Sequence, residues 1–278
     1  MKQQLTSFLK KLGIYHFLQL GYRSTIFHLL KISNRVKYAR QRGTGYTCNF
    51  CHKQYKTFVP DMPGTVIATF IKKYNVIAGY GDNVYCPYCM SRNRERLLLC
   101  VLKDRIDIRG KKILHFSPEK NLFQYLKRDA DVTTVDTMPG FYTNIDPQIK
   151  FADATCLPFH DASFDIVMAN HILEHIPQDI KAIREIYRVL KPGGVAILQV
   201  PFSASISATI EDPAINDPAK QEELFGQKDH VRIYALNDYL GRTESVGFRN
   251  EALSPSQIEQ YQNFAIQKEE YVFLCYKS

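Results

Sequence analysis

The chain of 278 residues has no tryptophan, no internal repeat and no low-complexity tract. It has no stretch near the ~18 consecutive apolar residues that a membrane-crossing helix requires, so an integral helical membrane protein is not expected. The N-terminus is basic, yet residues 12–20 are interrupted by His16 and Gln19 and no small-residue cleavage site follows, which argues against a secretory leader. Negative charge is missing from the first 60 residues, which hold 11 Lys or Arg and no Asp or Glu. Set against a net charge of +8 for the whole chain, this leaves −3 for the other 218 residues. The basicity is therefore an N-terminal property, and its natural counterpart is a polyanion or an anionic membrane surface. What the chain does have is 45% hydrophobic and 23% charged residues, the balance of a folded protein with a sizeable core.

Seven cysteines are present, an odd number, and four of them form two C-x-x-C pairs. Cys48 and Cys51 make one pair, Cys86 and Cys89 the other, with 34 residues between them. Each pair offers two thiolates from one tight turn, and two such turns supply the tetrahedral set that Zn²⁺ prefers. Four protein ligands leave no position for a water, so the expected metal is structural. A four-thiolate site also accepts iron, and His52 is a further candidate ligand. The spacing points to metal binding in a reducing, cytoplasmic setting rather than to a disulfide framework.

Three regions follow along the chain. Residues 1–42 read as a basic amphipathic helical segment, with Leu5, Phe8, Leu9, Leu12, Phe17, Leu20, Ile26, Leu29 and Leu30 at helical spacing among Lys10, Lys11, Arg23, Lys31 and Arg35. Such a segment packs on the main domain, lies on a membrane surface, or contacts RNA. Residues 43–104 form the four-cysteine module, closing in a helix over 91–103. Residues 105–278 alternate strands (112–116, 132–136, 148–152, 164–170, 195–200) with helices (121–128, 178–190), a pattern that predicts a parallel sheet with crossover helices. Pro192, Gly193 and Gly194 are expected to stop the second helix. Residues 202–230 lose this texture and read as a polar loop beside the sheet's carboxyl edge, where ligands bind in open α/β sheets. A helix over 235–246 and strands at 248–253 and 271–276 complete the chain, the last two as a hairpin-like pair.

Three segments carry a family resemblance: residues 153–159 (DATCLPF), 163–175 (SFDIVMANHILEH) and 185–194 (EIYRVLKPGG). In this order and spacing they resemble the type-11 branch of the class I S-adenosylmethionine (SAM)-dependent methyltransferases, over about residues 111–276. The resemblance implies a Rossmann-like, doubly wound, mostly parallel seven-stranded sheet with an antiparallel C-terminal strand, here preceded by the small zinc-binding subdomain. It implies SAM as cofactor. Asp136, 22 residues after Leu114, can accept from both ribose hydroxyls, by the logic that places an acid ~20 residues after a dinucleotide fingerprint. Asp153 is implied to accept from the adenine amino group, and Thr137, Ala154 and Asn170 to line the cofactor.

One departure stands out. Where the family places an acidic residue followed by glycines, residues 114–121 (LHFSPEKN) contain no glycine. His115 stands for the usual acid, and Ser117 and Glu119 for two glycines. Standard nicotinamide binding is then not expected, whereas Glu119 can pair with the ammonium group of SAM. His171 and His230 are the candidate bases for removing an acceptor's proton. Arg232 and Tyr234 are candidates for holding an acidic or sugar-like acceptor. The leading expectation is methyl transfer to a small-molecule or glycan acceptor. An RNA acceptor reached through the basic N-terminus and zinc module is the alternative, and a non-catalytic binding protein, suggested by the missing glycines, is the third.

Overall fold

The computed structural model of the protein describes residues 14–278. The core is a seven-stranded sheet: β1 (Lys112–Phe116), β2 (Asp131–Asp136), β3 (Lys150–Phe151), β4 (Phe164–Asn170), β5 (Leu190–Gln199), β6 (Phe248–Leu253) and β7 (Val272–Lys277). Their spatial order is β6-β7-β5-β4-β1-β2-β3. Neighbours from β5 through β3 run parallel, whereas β7 is antiparallel to both β5 and β6. The chain leaves β1 toward β2 and β3, then returns to place β4 on the other side of β1. That reversal opens a crevice at the carboxyl ends of β1 and β4, where doubly wound folds bind ligands.

The sequence of β4 explains its central place. Val167 and Ala169 join the core on one face of the sheet, Ile166 and Met168 the core on the other. A strand buried on both faces reads as a continuous apolar run. Leu114 and Ile113, Ala196 and Ile197, and Phe273 and Leu274 divide between the same two cores. A helix over Asp179–Val189 supplies Ala182, Ile183, Ile186 and Val189 to the first core, a spacing of one helical face.

Boundaries depart from the sequence reading in a few places. The helix before β5 ends at Val189, and Leu190 already pairs with Phe164. Lys191 to Gly194 are therefore an interruption within β5, where the register shifts between Leu190 and Val195, and not the helix stop. Glycine is required at 194, since a Cβ there would lie 2.8 Å from the Asp165 carbonyl oxygen. Residues 202–230 are not a plain loop. Phe202–Ser203, Ile210–Glu211 and Arg232–Ala235 form a second small sheet, and its fourth strand, Val76–Ile77, comes from between the two cysteine pairs. The insertion in the cysteine module and the segment after β5 are thus one structural unit.

N-terminally, α1 (Ile14–Lys37) is one continuous helix. The expected helical segment over 1–42 is described only from residue 14, and its first 13 residues lie outside the described residues. α2 (Thr65–Tyr74) belongs to the insertion, and α3 (Asn93–Arg105) follows the second cysteine pair. No helix among the described residues is long and apolar enough to cross a membrane.

Arg96, in α3, fastens the cysteine module to the sheet domain. It is fully buried and donates to the carbonyl oxygens of Asn83, Val84, Ser91, Phe264 and Ala265 at 2.5–3.2 Å. Two of these lie in the C-terminal half of the chain. Arg96→Met removes five charged hydrogen bonds, although the Ser91 carbonyl keeps a second donor, the Cys86 amide at 3.0 Å. Hydrogen bonds to a charged group contribute roughly 1.5–3 kcal/mol each. The expected result is a loss of about 3 kcal/mol or more in chemical denaturation; a loss below about 1 kcal/mol contradicts this role.

Candidate active site

A cleft of about 710 Å³ opens at the carboxyl ends of β1 to β4, within the range of small-molecule sites. Ser117, Glu119, Asp136, Thr137, Asp153, Ala154, Asn170 and His171 line it together. Seven of the eight expected cofactor residues, and one of the two expected bases, are thus brought to one cavity.

The first loop keeps a glycine-like backbone at one of its two substituted positions, whereas Glu119 is extended with φ of −78°. Ser117 has φ of 44°, the left-handed region that glycine enters most readily. Its hydroxyl donates to Asp136 Oδ2 at 2.6 Å, and the Met138 amide donates to Asp136 Oδ1, also at 2.6 Å. A carboxylate has about four acceptor sites, so Asp136 retains capacity toward the cleft. Asp153 holds the Thr155 amide and hydroxyl on Oδ1, each at 2.8 Å. Its second oxygen is left for a ligand donor.

Glu119 occupies the space over the β1 end. Its Oε2 lies 2.9 Å from His115 Nε2, and Asn170 Nδ2 donates to its Oε1 at 3.2 Å. Burial raises the carboxyl, but the His115 contact and charge outweigh this and hold it below its ordinary value. Asn170 Oδ1 is buried and has no partner among the described residues, an acceptor awaiting a donor.

Two expectations are corrected. His115 does not touch the cleft: strand alternation points it away with Ile113, its side chain is fully buried, and it acts by holding Glu119. His230 is likewise buried and does not line the cleft; its ring stands edge-on to His175 with centroids 4.6 Å apart. Arg232 and Tyr234 are also buried away from it. Arg232 donates to the carbonyls of Leu173, Ile176 and Pro177, and Tyr234 donates to Asp179 at 2.8 Å. His171, which does line the cleft, is lowered from its ordinary value by burial and by Arg94.

Arg94 is the residue that sequence reasoning missed. It comes from the first turn of α3, in the cysteine module, yet it lines the cleft. Its only sequence signal is the cluster Arg92, Arg94 and Arg96 directly after the second cysteine pair. The four cysteines themselves converge: Cys48 and Cys89 sulfurs are 3.5 Å apart, Cys51 and Cys86 sulfurs 3.7 Å, and all four lie within 4.8 Å of one another. Ligands ~2.3 Å from a tetrahedral zinc are about 3.8 Å apart, so this set can hold a metal ion. His52 is not part of the group.

Comparison with known proteins gives the following likenesses. Residues 118–198 match the family described as "Methyltransferase domain", a span containing Glu119, Asp136, Asp153, Asn170 and His171. The 27-O-demethylrifamycin SV methyltransferase of Amycolatopsis mediterranei (strain S699) is 33% identical over 128 residues, 44% of this chain and 43% of that enzyme. The demethylmenaquinone methyltransferase of Staphylococcus epidermidis (strain ATCC 12228 / FDA PCI 1200) is 44% identical over 50 residues, 18% of this chain and 21% of the relative. The chain therefore spans less than half the length of these curated relatives. Among solved structures, the [4+2]-cyclase SpnF aligns with a TM-score of 0.47 at 17% identity, over 66% of this chain and 81% of that one.

The clamp on Glu119 sets a pH dependence. A carboxyl held below its ordinary value stabilises the fold above that value, and the contribution disappears as the pH falls through the folded-state value. Thermal denaturation of Glu119→Gln should show a deficit against wild type at pH 7 that closes as the pH falls below the ordinary carboxylate range. A deficit independent of pH contradicts an ionised Glu119.

Proposed function

We propose that the chain is a SAM-dependent methyltransferase acting on a small-molecule or glycan acceptor. The carrying observation is that Asp136, Asp153, Asn170 and Glu119, from four different strand ends, line one cleft. When bound, SAM supplies an electrophilic methyl group on a sulfonium. Asp136 accepts from the ribose hydroxyls and Asp153 from the adenine amino group. Glu119 faces the ammonium and Arg94 the carboxylate of the amino-acid tail, so the zwitterion meets a complementary pair. The unpartnered Asn170 oxygen fits the same ligand.

His171, directly after Asn170, is the base: neutral through burial, it accepts the proton of an acceptor hydroxyl or amine. The remaining work is alignment of acceptor and methyl at ~3–3.5 Å. Among the described residues, Arg94 is the only Lys or Arg lining the cleft, which leaves little to hold an RNA backbone and favours an uncharged, compact acceptor. The relatives are named for 27-O-demethylrifamycin SV and demethylmenaquinone, both small molecules. The four-cysteine cluster is assigned to a structural zinc, which fixes α3 and with it Arg94.

Isothermal titration with SAM and with S-adenosylhomocysteine tests this. Saturable one-to-one binding is expected, weakened at least tenfold (about 1.4 kcal/mol) by Asp136→Ala through loss of charged hydrogen bonds. No heat with either ligand, or equal affinity in the variant, contradicts the assignment.

A further inference from the structure

Behind His171 lies a cluster that the cofactor does not explain. Glu174 and His230 are almost fully buried, and His175 is half-buried. His230 Nδ1 lies 3.2 Å from the Phe225 carbonyl oxygen and His175 Nδ1 lies 3.2 Å from the Asp229 carbonyl oxygen. A carbonyl only accepts, so in each ring Nδ1 carries the proton and donates, and Nε2 presents a lone pair. Both Nε2 atoms face Glu174 Oε1, at 3.9 Å from His230 and 4.0 Å from His175. His230 Nε2 and Glu174 Oε2 are buried with no hydrogen-bond partner among the described residues. His171 Nδ1 stands 3.5 Å from the same Oε1, a long contact that still leaves His230 Nε2 and Glu174 Oε2 without a donor. Acceptors gathered in this way repel one another unless a cation lies between them.

We propose that Glu174, His175 and His230 bind a divalent first-row transition-metal ion at the wall of the cleft. Two imidazoles and one carboxylate suit zinc, manganese or iron. Ligands ~2.1 Å from a tetrahedral ion are about 3.4 Å apart, so the separations of 3.9 and 4.0 Å close by about 0.5 Å each when an ion binds. Each imidazole already has the backbone acceptor on its far nitrogen that orients metal-bound histidines. Arg232 braces the same loop through Leu173, Ile176 and Pro177. His175, together with Asp229 and His171, lines the cleft, so the ion's remaining positions are reached from the acceptor side. Resting on the methyltransferase reading, the ligand class is an acceptor with two neighbouring oxygens, one of them the hydroxyl to be methylated, whose acidity the ion increases.

The test is a Co²⁺ titration of protein whose four thiolates already hold zinc, followed by visible absorption. Wild type should take up one further equivalent with nitrogen and oxygen d–d bands and no thiolate charge-transfer band. Glu174→Gln, His230→Asn and His175→Ala should each weaken that uptake at least tenfold. His175→Ala alters the half-buried ligand and so guards against loss of the fold, which circular dichroism checks. No second equivalent in wild type, or undiminished uptake in folded His175→Ala, overturns the proposal. SAM binding by wild type, measured separately, reports on the methyltransferase reading independently.

A second observation stands by itself. The last turns of α1 meet the body through polar side chains: Asn34 donates to Met90 sulfur at 3.4 Å, and Arg35 Nε donates to the Tyr88 carbonyl at 3.1 Å and stacks on the Tyr88 ring. Ile26, Phe27, Leu29, Leu30, Ile32 and Val36 are exposed, Val36 by 72%, and all but Phe27 fall within roughly 160° of the helix circumference at 3.6 residues per turn. The amphipathic helix is thus turned outward. Residues 1–60 carry no acidic group, so two copies would meet with like charge, whereas an anionic lipid surface offers both apolar depth and opposite charge. We infer that α1 seats the full chain on an anionic bilayer. In cosedimentation, binding to phosphatidylcholine vesicles containing phosphatidylglycerol is expected, with at least tenfold weakening by Leu29→Glu with Val36→Glu, by high salt, or by omitting the anionic lipid. No binding, binding indifferent to the substitutions, or a lipid-free dimer abolished by them overturns it.

Discussion

A buried carboxylate governs this architecture. With no glycine in the first loop, side chains fill the space where backbone would otherwise approach a ligand, and Glu119 takes the position facing the cleft. It is tolerated there because His115 below and Asn170 beside it both engage its oxygens. A carboxylate withdrawn from water is costly unless paired, so the two partners are conditions for the loop's existence. The same residues then define what the cleft can hold: a ligand bringing a positive group to Glu119 and donors to Asp136, Asp153 and the bare Asn170 oxygen.

The cysteine module is part of that cleft. Its second knuckle leads directly into α3, which sends Arg94 to the cavity and Arg96 into a buried set of five carbonyls. Its insertion contributes Val76–Ile77 to the sheet that also holds the segment after β5. Placement of the four sulfurs, of α3 and of the cavity's positive charge are therefore coupled through a few residues of rigid helix.

Much of this was legible beforehand, for reasons particular to each element. β4 and β6 have the boundaries their apolar patterns announce, because both are bounded by polar turns. The chemistry-bearing strand ends were readable because β-strand length and the family segments constrain each other. His115 was misplaced because the resemblance aligned a residue type without the strand's alternation, which turns it under Glu119. His230 and Arg232 look like site residues in a polar sequence, yet the short strand Arg232–Ala235 carries Arg232 inward and His230, two residues before it, is buried as well. The two-residue strands of the second sheet left little trace, since they depend on long-range pairing between residues 76–77 and 202–203, which no local pattern encodes, and Arg94 reaches the cleft only through the packing of α3.

The central claim is that a glycine-free loop still binds a sulfonium cofactor by replacing backbone with side-chain charge. A crystal structure with S-adenosylhomocysteine tests it most directly. The account predicts the ribose hydroxyls on Asp136 and the amino-acid tail between Glu119 and Arg94. A ligand-free cleft at saturating concentration, or a nucleoside seated away from Asp136, contradicts it.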